Sequence, residues 1–114
     1  MSVKLSTRQV GDVSVVDVAG RITLGEGSSA LRETLRDMVS KNQKKILLNL
    51  GDVSYIDSSG IGELVSGFTS VTNSGGQLKL LNLNKRVKDL LQITKLYTVF
   101  DVHDDEAGAI RSFA

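Results

Sequence analysis

The chain has 114 residues, room for one domain with its own core but not for a second. Lys and Arg number 14 against 13 Asp and Glu, the net charge is +1, and no basic run exceeds Lys44-Lys45, which excludes the electrostatic footprint of a nucleic-acid binder. Cysteine is absent, which excludes disulfides and thiolate metal sites and fits a reducing compartment.

Met1 to Leu5 lacks the apolar block of a signal peptide, and no stretch is long and apolar enough for a membrane span. A cytoplasmic protein with no membrane contact is expected. Val3, Leu5 and Thr7 alternate with Lys4, Ser6 and Arg8, the period of a half-buried strand. Gly11-Asp12 supplies a turn, and Val13 to Ala19 reads as a second, antiparallel strand. Gly20, Gly25 and Gly27 mark a loop. From Ser28 to Lys41 the period becomes helical, with Leu31, Leu35, Met38 and Val39 on one face.

Lys45 to Leu50 is a compact apolar run, as in a strand covered on both faces. Ile61, Leu64, Val65, Phe68 and Val71 return to helical spacing until Gly75-Gly76. Gln77 to Leu81 reads as a strand, and Asn84 caps a helix carrying Val87, Leu90 and Leu91. Val99 to Val102 predicts a short strand, and Asp104 or Asp105 starts a last helix with Ala107, Ile110 and Phe113 on one side. Strand-helix-strand crossovers predict parallel pairing, so the sheet is mixed, mostly parallel, in one α/β domain over residues 1–114.

The segment from Asp52 to Gly62 lies between the most buried strand and an amphipathic helix. Binding sites of open α/β sheets gather at such carboxyl ends, and the helix start there offers free N–H groups and a positive dipole end. Asp, Ser and Gly are also ordinary capping and turn residues. Simple capping needs one polar side chain, however, and Asp57, Ser58 and Ser59 all compete for it. Gly60 and Gly62 each weaken the first turn by roughly 1 kcal/mol against Ala and leave the helix start open to a visitor.

Asp57-Ser58-Ser59-Gly60-Ile61-Gly62, following Leu48-Asn49-Leu50 and Val53-Ser54-Tyr55, resembles the signature of bacterial anti-sigma factor antagonists with the STAS (sporulation anti-anti-sigma-like) fold. The resemblance extends over nearly the whole chain, through Gly20, Gly75-Gly76 and Leu90-Leu91. It implies a mixed sheet with an antiparallel first strand and about four helices. It also implies phosphorylation of the Ser after the motif Asp, here Ser58, with Ser59 as second choice. The partner-binding residues it implies are Asp57, Ser58, Ser59, Gly60, Ile61 and Gly62, with Arg21 and Thr23 in the loop after the second strand. Family members carry a Gly-Glu-x-Asp segment in that loop, whereas this chain has Gly20-Arg21-Ile22-Thr23, which leaves the partner's identity open.

The implied function is a switch in transcription control. The unphosphorylated protein sequesters an anti-sigma factor that is also a serine kinase, phosphorylation ends the complex, and a serine phosphatase reverses it. Magnesium and ATP belong to the kinase, and no cofactor or metal is expected on this chain. STAS domains also serve as subunits of lipid-transport or stress-signalling assemblies, which stays open as an alternative. A serine hydrolase is remote, because His103 is the only His and Ile56 stands where a nucleophile elbow needs Gly. The continuous polar faces predict a monomer.

Overall fold

The computed structural model describes residues 3–113, so Met1, Ser2 and Ala114 of the expected domain lie outside the described residues. Strands β1 (Val3–Val10) and β2 (Val13–Ile22) form an antiparallel hairpin in which Val10 faces Val13. Gly11 takes φ 62° at the first loop position, where a primed two-residue turn requires a positive φ. Val3 and Leu5 are half-buried as the alternation predicts, but Thr7 is exposed.

The chain continues through α1 (Glu26–Ser40), β3 (Lys45–Ile56), α2 (Ser58–Asn73), β4 (Gln77–Leu81), α3 (Lys85–Ile93), β5 (Asp101–His103) and α4 (Glu106–Arg111). The strands lie in the order β1-β2-β3-β4-β5, with every pair after the hairpin parallel. This is the mixed sheet that the sequence predicts.

Successive strands added in one direction by right-handed crossovers place their helices on one face. Accordingly Leu31, Leu35 and Met38 of α1, Ile61, Leu64 and Val71 of α2, and Val87 and Leu91 of α3 share one core with Val16, Val18, Leu48 and Leu80. The opposite face is covered by the short α4, where Ala109 and Phe113 close over Val13, Val15, Leu47 and Leu81. Ala107, expected on that apolar side, is exposed, because α4 ends at Arg111 and Phe113 reaches the sheet from beyond the helix.

Strand β3 runs six residues past the apolar block that announces it, to Ile56, and β2 runs on to Ile22. Asp17 pairs with Asn49 but Ala19 with Asp52, and Gly20 pairs with Val53 but Arg21 with Tyr55. Strand β3 therefore twice carries one residue more than β2, a bulge each time. Leu50, Val53 and Ile56 are buried at a spacing of three, so the alternating strand signal disappears there. The two extended ends deliver Ile22 and Ile56 side by side to the starts of α1 and α2.

Candidate functional site

Asp57 is the N-cap of α2, in extended geometry, and its carboxylate does three things at once. Oδ1 accepts the N–H of Gly60 at 3.0 Å and the hydroxyl of Ser59 at 2.7 Å. Oδ2 accepts the N–H of Leu24 at 3.0 Å, across the gap to the loop between β2 and α1. The donated bonds, that of Ser59 first, outweigh partial burial and hold the Asp57 pKa at about 2, so the group is charged at neutral pH.

The two serines that follow have different environments. Ser58 is the first residue of the helix, exposed, and its hydroxyl makes no hydrogen bond among the described residues. Ser59 is half-buried, and its oxygen lies 2.8 Å from that of Ser28, a residue only 4% exposed. Since the Ser59 hydrogen goes to Asp57, the Ser28 hydroxyl is the donor in that contact. Ser58 thus presents an unbonded hydroxyl at the surface, and Ser59 is a strut between α1, α2 and the cap.

The glycines of the motif differ just as sharply. A Cβ on Gly60 would lie 2.5 Å from the carbonyl oxygen of Ile22 and 2.6 Å from Ile56 Cγ1. Gly60 is therefore a packing requirement that lets α2 start against the end of β2, rather than an opening for a visitor. Gly62 faces open space. Ile61 is 5% exposed and belongs to the core. Of the six motif residues, Ser58 and Gly62 face outward, Asp57 and Ser59 frame them, and Gly60 and Ile61 point inward. The N–H of Gly60 goes to the Asp57 side chain and that of Ile61 to the Asp57 carbonyl, and the Ser59 N–H also faces the Asp57 carboxylate, so the amide left for an anion is that of Ser58.

The loop after β2 adjoins this helix start. The N–H of Asp57 is bonded to the carbonyl of Ile22 at 3.2 Å, and that of Ser28 to the carbonyl of Thr23 at 3.0 Å. Gly27 fits closely under the same chain, since a Cβ there would meet the Arg21 carbonyl oxygen at 2.5 Å. Arg21 is exposed and stacks on Tyr55 at 5.0 Å, while Thr23 is half-buried. Leu24 is 82% exposed. Sequence periodicity does not single out Leu24, because it stands in a glycine-flanked loop outside any repeating face.

His103 lies in β5 and does not meet Ser58. Its Nε2 is 3.2 Å from Asp101 and 3.4 Å from the Ser112 hydroxyl. A serine triad needs the carboxylate on Nδ1 and the hydroxyl on Nε2, so this cluster does not have that form. The Ser112 hydroxyl already donates to the Ala109 carbonyl at 2.6 Å. Among the described residues, no three His, Asp or Glu side chains are grouped to hold a metal, and no helix is long and apolar enough to cross a membrane.

A profile of the STAS domain matches residues 4–109. The chain is 32% identical over 111 residues to the anti-sigma-B factor antagonist of Bacillus subtilis, covering 97% of this chain and all of that one. Its fold superimposes on the crystal structure of an anti-sigma factor antagonist from Mycobacterium paratuberculosis with a TM-score of 0.87, at 19% identity and covering 98% and 94% of the two chains. It likewise matches the Bacillus cell fate determinant SpoIIAA in its phosphorylated form, with a TM-score of 0.74 at 19% identity, covering 95% of this chain and 97% of that one. At such identities these two structures speak to the fold alone.

Proposed function

Because the chain belongs to the STAS domain family, we propose that it is an anti-sigma factor antagonist, a single-domain switch in transcription control worked by phosphate on Ser58. The observation that carries this reading is the contrast between two adjacent hydroxyls: Ser58 is exposed and unbonded, while Ser59 is tied to Asp57 and Ser28. The 32% identity to an anti-sigma-B factor antagonist along its full length supports the partner class. The partner is an anti-sigma factor with serine kinase activity, a serine phosphatase resets the switch, and all three work in the cytoplasm.

In the unphosphorylated state the surface around Ser58, Gly62, Arg21 and Leu24 binds the anti-sigma factor and so frees the sigma factor. The chain itself catalyses nothing. In the kinase, the Ser58 oxygen forms a bond to the γ-phosphorus of ATP as the bond from that phosphorus to ADP breaks. The hydroxyl proton passes to a base of the kinase. The phosphate brings about −1.5 to −2 charge to a helix start that already holds the Asp57 carboxylate. Two unit charges about 5 Å apart interact by roughly 3 kcal/mol at an effective dielectric near 20, enough to convert an attractive face into a repelling one. No refolding is needed, because Ser58 supports no contact that the phosphate would break.

The test is incubation with the anti-sigma factor kinases of its own genome, ATP and magnesium, followed by peptide mass spectrometry. Phosphate on Ser58 is the expected result. Phosphate on Ser59 instead, or on neither residue with every such kinase, refutes the assignment.

A further inference from the structure

Two arginines from different elements share one ring at the end of the sheet that carries Ser58. Arg21, at the end of β2, lies 5.0 Å from the centre of the Tyr55 ring. Arg86, in the first turn of α3, lies 5.7 Å from the same ring. Tyr55 is half-buried and the cross-strand neighbour of Arg21, so strand pairing and helix packing, not side-chain drift, set the stack. Both arginines are exposed, and neither has a carboxylate within ion-pair distance among the described residues. The adjacent Lys85 contrasts with them, being paired to Asp89 at 2.8 Å.

A guanidinium stacked on a ring keeps its N–H edge available, and that edge fits a carboxylate in a bidentate way. Here two such edges of like charge stand together with no ion-pair partner among the described residues, the nearby Asp89 being paired to Lys85. Along α3 the same face continues from Arg86 through Leu90 to Ile93, at i, i+4 and i+7, and Ile93 is 77% exposed. Cations next to the exposed Ile93 and the half-buried Leu90 complement a segment that carries carboxylates next to apolar groups.

We propose that the Arg21–Tyr55–Arg86 stack, with the Leu90–Ile93 edge of α3, docks an acidic, partly apolar segment of the partner protein. This rests on the reading of the Ser58 end as the partner face and specifies its chemistry. It also gives the switch its sign: phosphate on Ser58 adds negative charge to the end of the sheet that receives the partner's carboxylates.

The experiment titrates the 15N-labelled full chain with an eight-residue peptide of Glu and Leu, using the same peptide with Gln for Glu as control. The Glu peptide is expected to move the signals of Arg21, Tyr55, Arg86 and Ile93, less so in high salt, and the Gln peptide is not. Arg86→Glu is expected to weaken the apparent affinity about tenfold or more, and the milder Arg86→Gln, which keeps the helix surface polar, to weaken it less. Signals that move elsewhere, or an affinity indifferent to both variants, overturn the proposal. So do equal shifts with an oligothymidylate of equal charge, which would point to phosphate, and shifts on concentrating the protein alone, which would point to a second copy. The kinase assay on Ser58 uses no such peptide, so either result can fail while the other stands.

Discussion

The hydroxyl of Ser59 lies 2.8 Å from the hydroxyl of Ser28, and the two residues are 31 positions apart in the chain. That contact joins the first turns of α1 and α2 beneath the loop that carries Leu24, while the neighbouring Ser58 is left outside. The helix cap, the interhelical tie and the proposed modification site therefore fall on three different side chains, Asp57, Ser59 and Ser58.

Ser58→Ala is expected to abolish phosphorylation and leave the unfolding free energy within about 0.5 kcal/mol of wild type, since it removes no hydrogen bond. Ser59→Ala is expected to keep the phosphate on Ser58 but to lose about 1 kcal/mol, from the bonds to Asp57 and Ser28. Mass spectrometry and urea unfolding separate the two. The reverse pattern, phosphate lost with Ser59 and stability with Ser58, would exchange their roles.

Phosphorylated protein, and Ser58→Glu as a weaker mimic, are expected to bind the anti-sigma factor at least about tenfold less tightly, or 1.4 kcal/mol. Calorimetry that finds equal affinity for both forms removes the charge mechanism. Circular dichroism is expected not to change, because Ser58 supports no contact that phosphate would break.

Much of this was legible in the sequence wherever a signal is local. Gln77–Leu81 reads as a strand and is one, and Asn84 and Asp105 cap their helices through the N–H of Val87 and Gly108. What escapes is set by distant partners. The far half of β3 is hidden because its two bulges spoil alternation, leaving Leu50, Val53 and Ile56 at a spacing that fits neither a strand nor a helix. The role of Gly60 is hidden because the atom it avoids belongs to Ile22, on another strand. Ser28 looks like any serine at a helix start, and only the fold brings it to Ser59.

The two motif glycines give opposite expectations for one substitution. Gly60→Ala puts a methyl 2.5 Å from a backbone oxygen that cannot turn aside, and overpacking of this kind costs about 1–3 kcal/mol. Gly62→Ala meets nothing within 4 Å and should gain up to about 1 kcal/mol from helix propensity. Thermal unfolding of the two variants decides between this and a motif whose glycines both serve only an open helix start, where both would gain.

Asp57 makes stability depend on acid. Its folded pKa, about 2, lies below the ordinary carboxylate value of about 3.9 in the unfolded chain. A depressed folded pKa contributes stability that is complete above the unfolded value and is lost as the pH falls through the folded one. Asp12, Asp17, Asp101 and Glu106 are also lowered by their cationic partners, so the wild type alone does not isolate the effect. Asp57→Asn keeps an oxygen for the N–H of Gly60 but removes the charge and, with the second oxygen, the acceptor of the Leu24 N–H. It is expected to be less stable than wild type at pH 7, with the gap closing between about pH 4 and pH 2. A gap that is constant with pH would mean that the Asp57 charge contributes nothing.

Leu24 and Arg21 stand on the same loop segment but should act on different steps of partner binding. Leu24 is 82% exposed and buries little in the free protein, so Leu24→Ser should leave the melting temperature unchanged. If Leu24 enters a pocket of the anti-sigma factor, its apolar area is lost only once the complex has formed, and the variant should dissociate faster with an unchanged association rate. Arg21→Glu combined with Thr23→Asp swings the local charge by about three units, which changes the diffusional approach. That variant should associate more slowly, with a salt dependence altered relative to wild type, because screening weakens steering by exposed charges. Its stability should fall by no more than about 0.5–1 kcal/mol, the worth of the exposed cation–π contact between Arg21 and Tyr55. Stopped-flow association at two salt concentrations and surface dissociation rates read the two steps separately. Rates equal to wild type for both variants would place Arg21 to Leu24 outside the interface and leave Ser58 and its helix to bind alone.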